Sequence, residues 1–135
     1  MKEITLEAKI ENIPRIIAFI DETLEAWDTA MKAQMQIDVA ADEILANISH
    51  YAYAPNTGEA TVRLHIDEAT RMATIIFIDR GVPFDPLAKA DPDVTLAKQD
   101  RQIGGLGIYI VKKTMDAVEY QRKDGCNILT IRKKI

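Results

Sequence analysis

The sequence predicts an α+β domain, a two-layer α/β sandwich with helices packed on one mixed, mostly antiparallel sheet. Three observations predict it: two helical periods follow one another near the N-terminus, two pairs of adjacent β-type runs each read as a hairpin, and a glycine-rich helix start separates the pairs. At 135 residues the chain is one domain's worth, 1–135, and long enough to bury a core without staples. Charged residues make up 28% and hydrophobic ones 47%, values that suit a globular chain and not a disordered one.

The charge balance excludes one large class of function. Seventeen Lys and Arg against 21 Asp and Glu give a net charge of −4, which argues against a direct nucleic-acid binder. Cys126 is the single cysteine and forms no internal disulfide, in keeping with a reducing cytoplasm. With His50 and His65 it is too widely scattered for a typical zinc site. No apolar run approaches the ~20 residues of a membrane helix, and the start MKEITLEAKIENI has no signal-peptide core. A cytoplasmic protein is expected, without membrane partners.

The elements follow in order. Residues 3–10 alternate, with Ile4, Leu6, Ala8 and Ile10 on one side, and predict a strand. Asn12 suits a helix N-cap with Pro14 in the first turn, and Ile16, Ile17, Phe19, Ile20, Leu24 and Trp27 keep helical spacing over 13–27. A second helix is predicted over 34–53 on the stripe Ile37, Ala40, Ala41, Ile44, Ile48 and Tyr51. The runs 60–67 and 72–79 form a hairpin, the second apolar on both faces as in a central strand covered by helices. Residues 80–103 show no period, and a loop of that length in a small domain is functional or disordered. Gly104-Gly105-Leu106-Gly107 then opens a helix to about Met115, and a hairpin of 117–123 and 126–133 turns at Asp124-Gly125.

Chemistry first shows at the glycines. Residues without Cβ let backbone N–H groups close on an anion, and the helix start behind them adds partial positive charge. A Walker A loop is excluded because Val111, not glycine, precedes Lys112 and Lys113; a dinucleotide fingerprint is excluded because position 110 is Ile110. On the second helix Glu43 and Asn47 are four apart and share a face at the margin of the apolar stripe. An amide oxygen there can join a Mg²⁺ shell built mostly of phosphates and water, while a carboxylate accepts a proton from an attacking hydroxyl. Asp79 ends the central strand before Arg80-Gly81, where a carboxylate can accept from the exocyclic amine of adenine. Each feature alone also fits something ordinary: a turn, an exposed glutamate, a helix-end asparagine, a β-turn starter.

Their order is more specific. An Asn-bearing helix, a strand ending in Asp-x-Gly, a long loop and a Gly-rich helix start together resemble the GHKL (histidine-kinase-like) ATPases over nearly the whole chain. Within that superfamily ADEILANISHYAY, DRGVPFDP and GGLGIYIVKKTMD look most like the anti-sigma-factor serine kinases of bacteria. The resemblance implies ATP and Mg²⁺ as cofactors, with Asn47 on the metal and Glu43 as the general base. It implies Asp79 on the adenine amino group, Gly81 giving room for the base, and an ATP lid over about 84–103 beginning at Phe84. Gly104, Gly105, Leu106 and Gly107 would wrap the phosphates, and Arg101 would meet the γ-phosphate or a partner, or else be a solvated lid charge. His50 falls one place early for the family's His-Gly/Ala-Tyr segment and is set aside. Pro83 stands where the longer Asp-x-Gly-x-Gly form has its second glycine, and proline stiffens the turn.

The resemblance thus implies a serine/threonine kinase that phosphorylates a small antagonist protein and sequesters a sigma factor or other regulated protein, as a homodimer. The alternative is a nucleotide-gated binding module of a partner-switching system that phosphorylates nothing. A detached histidine-kinase catalytic domain fits less well, since neither His50 nor His65 lies in a heptad-bearing segment.

Overall fold

A computed structural model of the chain describes residues 1–88 and 106–135, the side chain of Leu106 excepted. Strand β1 (Lys2–Glu7) leads through a 3₁₀ turn at Ile10–Asn12 into α1 (Ile13–Ala26) and then α2 (Met31–Asn47), which ends in a π-turn over Ile48–Ala52. The hairpin β2 (Glu59–Asp67) and β3 (Met72–Asp79) follows, then α3 (Leu106–Thr114) and the hairpin β4 (Ala117–Lys123) and β5 (Cys126–Lys134). The five strands form one open sheet in the order β1-β2-β3-β5-β4. All four pairings are antiparallel, the limiting case of the mostly antiparallel sheet expected.

Period-2 alternation places the core. Val62, Leu64, Ile75, Phe77, Leu129 and Ile131 point to one side of the sheet and meet Ile16, Ile20 and Leu24 of α1, Ile37 and Ile44 of α2, and Val111 of α3. On β3 every second residue is buried and the others only half-buried, so helices cover one face of the strand and not both as its apolar run suggested.

The element ends depart from expectation for local reasons. β1 stops at Glu7, and Ile10, expected on its apolar side, is exposed in the 3₁₀ turn. Asn12 does not cap α1; its Nδ2 donates instead to the Glu7 carbonyl at 2.8 Å, tying the helix start to the end of β1. Helix α2 begins three residues early, at Met31, and its last turn widens to π geometry. That widening rotates the helix phase and takes Tyr51 out of the core stripe, leaving it 57% exposed.

One contact between the first two helices is pH-sensitive. The Oδ1 atoms of Asp21 on α1 and Asp38 on α2 are both buried without a conventional donor. Burial, then the hydrogen bond to Asp21 and its charge, then Glu25, raise the Asp38 carboxyl from 3.8 to about 8. Between those limits the folded chain holds a proton that the unfolded chain releases, so stability falls as pH rises across that window. Asp38→Asn, which keeps a donor toward Asp21, should flatten this dependence. Thermal unfolding is expected to show the variant more stable than the parent near pH 9 and little different near pH 5.

Candidate active site

The inner face of β3 reads Ala73, Ile75, Phe77, Asp79, so the alternation that builds the core carries a carboxylate to its last inward position. Asp79 is only 5% exposed, and its cross-strand partner on β5, Asn127, is 6% exposed. Two buried polar groups facing each other must satisfy one another. Asp79 Oδ1 accepts from Asn127 Nδ2 at 2.9 Å and from the Gly81 backbone N–H at 2.9 Å. Asn127 Nδ2 also donates to the Val82 carbonyl at 2.8 Å, and its Oδ1 accepts from the Phe84 N–H at 3.2 Å and from the Tyr120 hydroxyl.

The turn after Asp79 is held from two further sides. The Tyr53 hydroxyl donates to the Glu59 carbonyl at 2.6 Å and accepts from the Arg80 N–H at 2.8 Å; burial raises its pKa. Val82 N–H donates to the Ala52 carbonyl at 2.9 Å, and Arg122 Nη1 to the Gly81 carbonyl at 2.8 Å. The space left by the missing side chain of Gly81 is taken by that Ala52 carbonyl, which any Cβ there would overlap. Because the obstacle is backbone, no rotamer relieves it. Gly81→Ala is expected to cost ~1–3 kcal/mol, read as a lower urea midpoint.

Glu43 and Asn47 are both half-buried on one face of α2, where their spacing of four sets them. The Glu43 carboxyl lies against Gly107 in the first turn of α3, in the space a Cβ at 107 would occupy. Glycine here is what lets the two helices close around a carboxylate.

These parts converge on one pocket. Asn47, Asp79 and Phe84 line it, with Ile44, Tyr51, Phe77, Ile108, Tyr120, Asn127 and Leu129 among the other walls. Tyr51 and Phe84 are exposed, with ring centroids 6.3 Å apart. Glu43, Gly81 and Gly107 stand beside the pocket and do not line it. Arg101, Gly104 and Gly105, and the expected lid beyond residue 88, lie outside the described residues; Leu106 is the first residue of α3.

Three wall residues were not expected at the site. Asn127 could have been found as the one polar member of the inward row Asn127, Leu129, Ile131. Tyr120 follows as its neighbour across the ladder, opposite Leu129. Tyr51 was assigned to the core, and only the π-turn moves it out.

The pocket has the apolar walls and few buried polar groups that a heterocyclic base requires. Among the described residues no group of three or more His, Cys, Asp or Glu is placed to hold a metal. A cation at Asn47 would therefore take most of its ligands from phosphate and water, which suits Mg²⁺ carried in by a nucleotide.

The histidine kinase-like ATPase domain model matches residues 6–133, and the chain belongs to that family, as its motifs implied. Over 107 residues it is 30% identical to the serine/threonine-protein kinase BtrW of Bordetella bronchiseptica, an alignment covering 79% of this chain and 73% of that protein. In fold it is similar to a chain of the SiaB-SiaC complex from Pseudomonas aeruginosa, with a TM-score of 0.60 at 18% identity, covering 98% of this chain and 89% of that one. No helix among the described residues is long and apolar enough to cross a membrane.

Proposed function

We propose that this pocket binds ATP with Mg²⁺ and that the chain transfers the γ-phosphate to a serine or threonine of a small antagonist protein. The observation that carries the reading is the convergence of Asn47 and Asp79, from elements far apart in sequence, on one pocket with Glu43 a helical turn away. The name of the relative BtrW, a serine/threonine-protein kinase, supports the class of reaction. In this reading Asp79 accepts the adenine amino group, Gly81 sets the turn beside it, and Tyr51 and Phe84 flank the base. Asn47 contributes its amide oxygen to the magnesium shell, and bound magnesium would offset phosphate charge. Gly104, Gly105, Leu106 and Gly107 supply backbone donors to the phosphates, and Arg101 neutralises charge on the γ-phosphate.

Phosphate transfer asks the protein mainly for alignment and charge neutralisation. The substrate hydroxyl oxygen bonds to the γ-phosphorus as the bond to the bridging β–γ oxygen breaks. ADP departs, and Glu43 accepts the hydroxyl proton. The unphosphorylated antagonist and a sigma factor or other regulated protein would then compete for one surface of a homodimer, with the nucleotide state deciding which is held.

The test is incubation with Mg²⁺, ATP and a small antagonist-type protein from the same genome, followed by mass spectrometry. One added phosphate on a serine or threonine supports the kinase. ATP-dependent capture of the antagonist without phosphate would favour a nucleotide-gated binding module instead.

A further inference from the structure

We propose that Asn127 is a specificity-determining positioning residue that makes the pocket choose 6-aminopurine over 6-oxopurine nucleotides. This deepens, and rests on, the assignment of Asp79 to the base.

A carboxamide has two N–H donors and two oxygen lone pairs. Asn127 spends all four on protein: donors to Asp79 Oδ1 and the Val82 carbonyl, lone pairs to the Phe84 N–H and the Tyr120 hydroxyl. Two acceptors on one side and two donors on the other fix its amide orientation uniquely. Asn127 is a wall of the pocket and yet has no hydrogen-bonding capacity left for a ligand. Its influence must pass through Asp79.

That influence is directional. With Oδ1 held by Asn127 and the Gly81 N–H, the Asp79 carboxylate cannot turn without breaking two buried bonds. Among the described residues no donor reaches Oδ2, so the remaining oxygen is a pure acceptor at the pocket. An acceptor attracts an exocyclic amine and repels a ring carbonyl, and a site built for a hydrogen bond rejects the analogue that cannot make it. If the network around Oδ1 loosens, the carboxylate is free to rotate, and the rejection weakens. The same amide grips Val82 and Phe84, so the oriented carboxylate is joined to the chain leaving β3.

The test compares ATP with ITP, which differ at position 6 of the purine, by calorimetric titration in the presence of Mg²⁺. The wild-type chain should bind ATP about a hundredfold more tightly or better. Asn127→Ala should shrink that ratio about tenfold, and Tyr120→Phe, which removes only the hydroxyl donor to Asn127, about threefold. A merely structural role would weaken both nucleotides together and leave the ratio unchanged, which would overturn the proposal. If Asn127→Ala does not fold, Tyr120→Phe decides in the same way. Asp79→Asn separates the two levels. A ratio kept in that variant removes the Asp79 assignment itself, whereas a ratio lost there but kept in both other variants removes only the role of Asn127.

Discussion

Glu43→Gln is expected to slow phosphate transfer by ~10²–10⁴-fold while ATP affinity changes little. Glutamine keeps the shape of the side chain and so preserves the contact with Gly107 that brings α2 and α3 together. What it loses is the ability to take a proton from the attacking hydroxyl at neutral pH. Glu43 does not line the pocket, which is why binding and transfer should separate in this variant. Single-turnover transfer alongside equilibrium ATP titration makes the comparison. Undiminished transfer would remove the general-base role, and a matched loss of affinity would recast Glu43 as a binding residue.

A second large effect is expected at Asp79. Asp79→Ala removes the acceptor for two buried donors, Asn127 Nδ2 and the Gly81 N–H. Orphaning buried donors costs ~1–3 kcal/mol each, so an overall loss of about 2–6 kcal/mol is expected, with a lower midpoint in urea unfolding. Loss of the acceptor for the base should abolish measurable ATP binding even where the variant remains folded. Asp79→Asn keeps the side-chain shape and one acceptor oxygen and should be milder in stability, yet it should still lose adenine preference. A variant that unfolds readily but binds ATP normally would place Asp79 in structure alone.

The fold was legible because its signals are periodic. The alternation in 60–67 and 72–79 sets both the hairpin and its buried face, and the helical stripes of α1 and α2 place Ile16, Ile20, Ile37 and Ile44 in the core. Asn47 and Asp79 were legible for a related reason, since each is a polar residue standing at a defined place in an apolar pattern. What could not be read depends on tertiary context. The covering of one face of β3 and not both is decided by where the helices pack, which an isolated strand does not encode. The π-turn that exposes Tyr51 adds a residue to a turn with no proline or glycine inside it to mark the place. Asn127 stands out in sequence as the polar member of an inward row, but its role takes shape only once strand order sets β5 beside β3, because its partners are Asp79, Val82, Phe84 and Tyr120. Gly81 was read as room for a base, and the fold fills that room with the Ala52 carbonyl.

On this reading one pocket between α2, β3 and the start of α3 receives the nucleotide. Amide NMR of the full chain, titrated with ATP in the presence of Mg²⁺, tests it most directly. Saturable shifts should gather at Asn47, Tyr51, Asp79, Phe84, Gly107 and Ile108, and spare the exposed face of α1 at Arg15, Ala18 and Glu22. Shifts centred on α1, or a spectrum unmoved at millimolar ATP, would contradict the account.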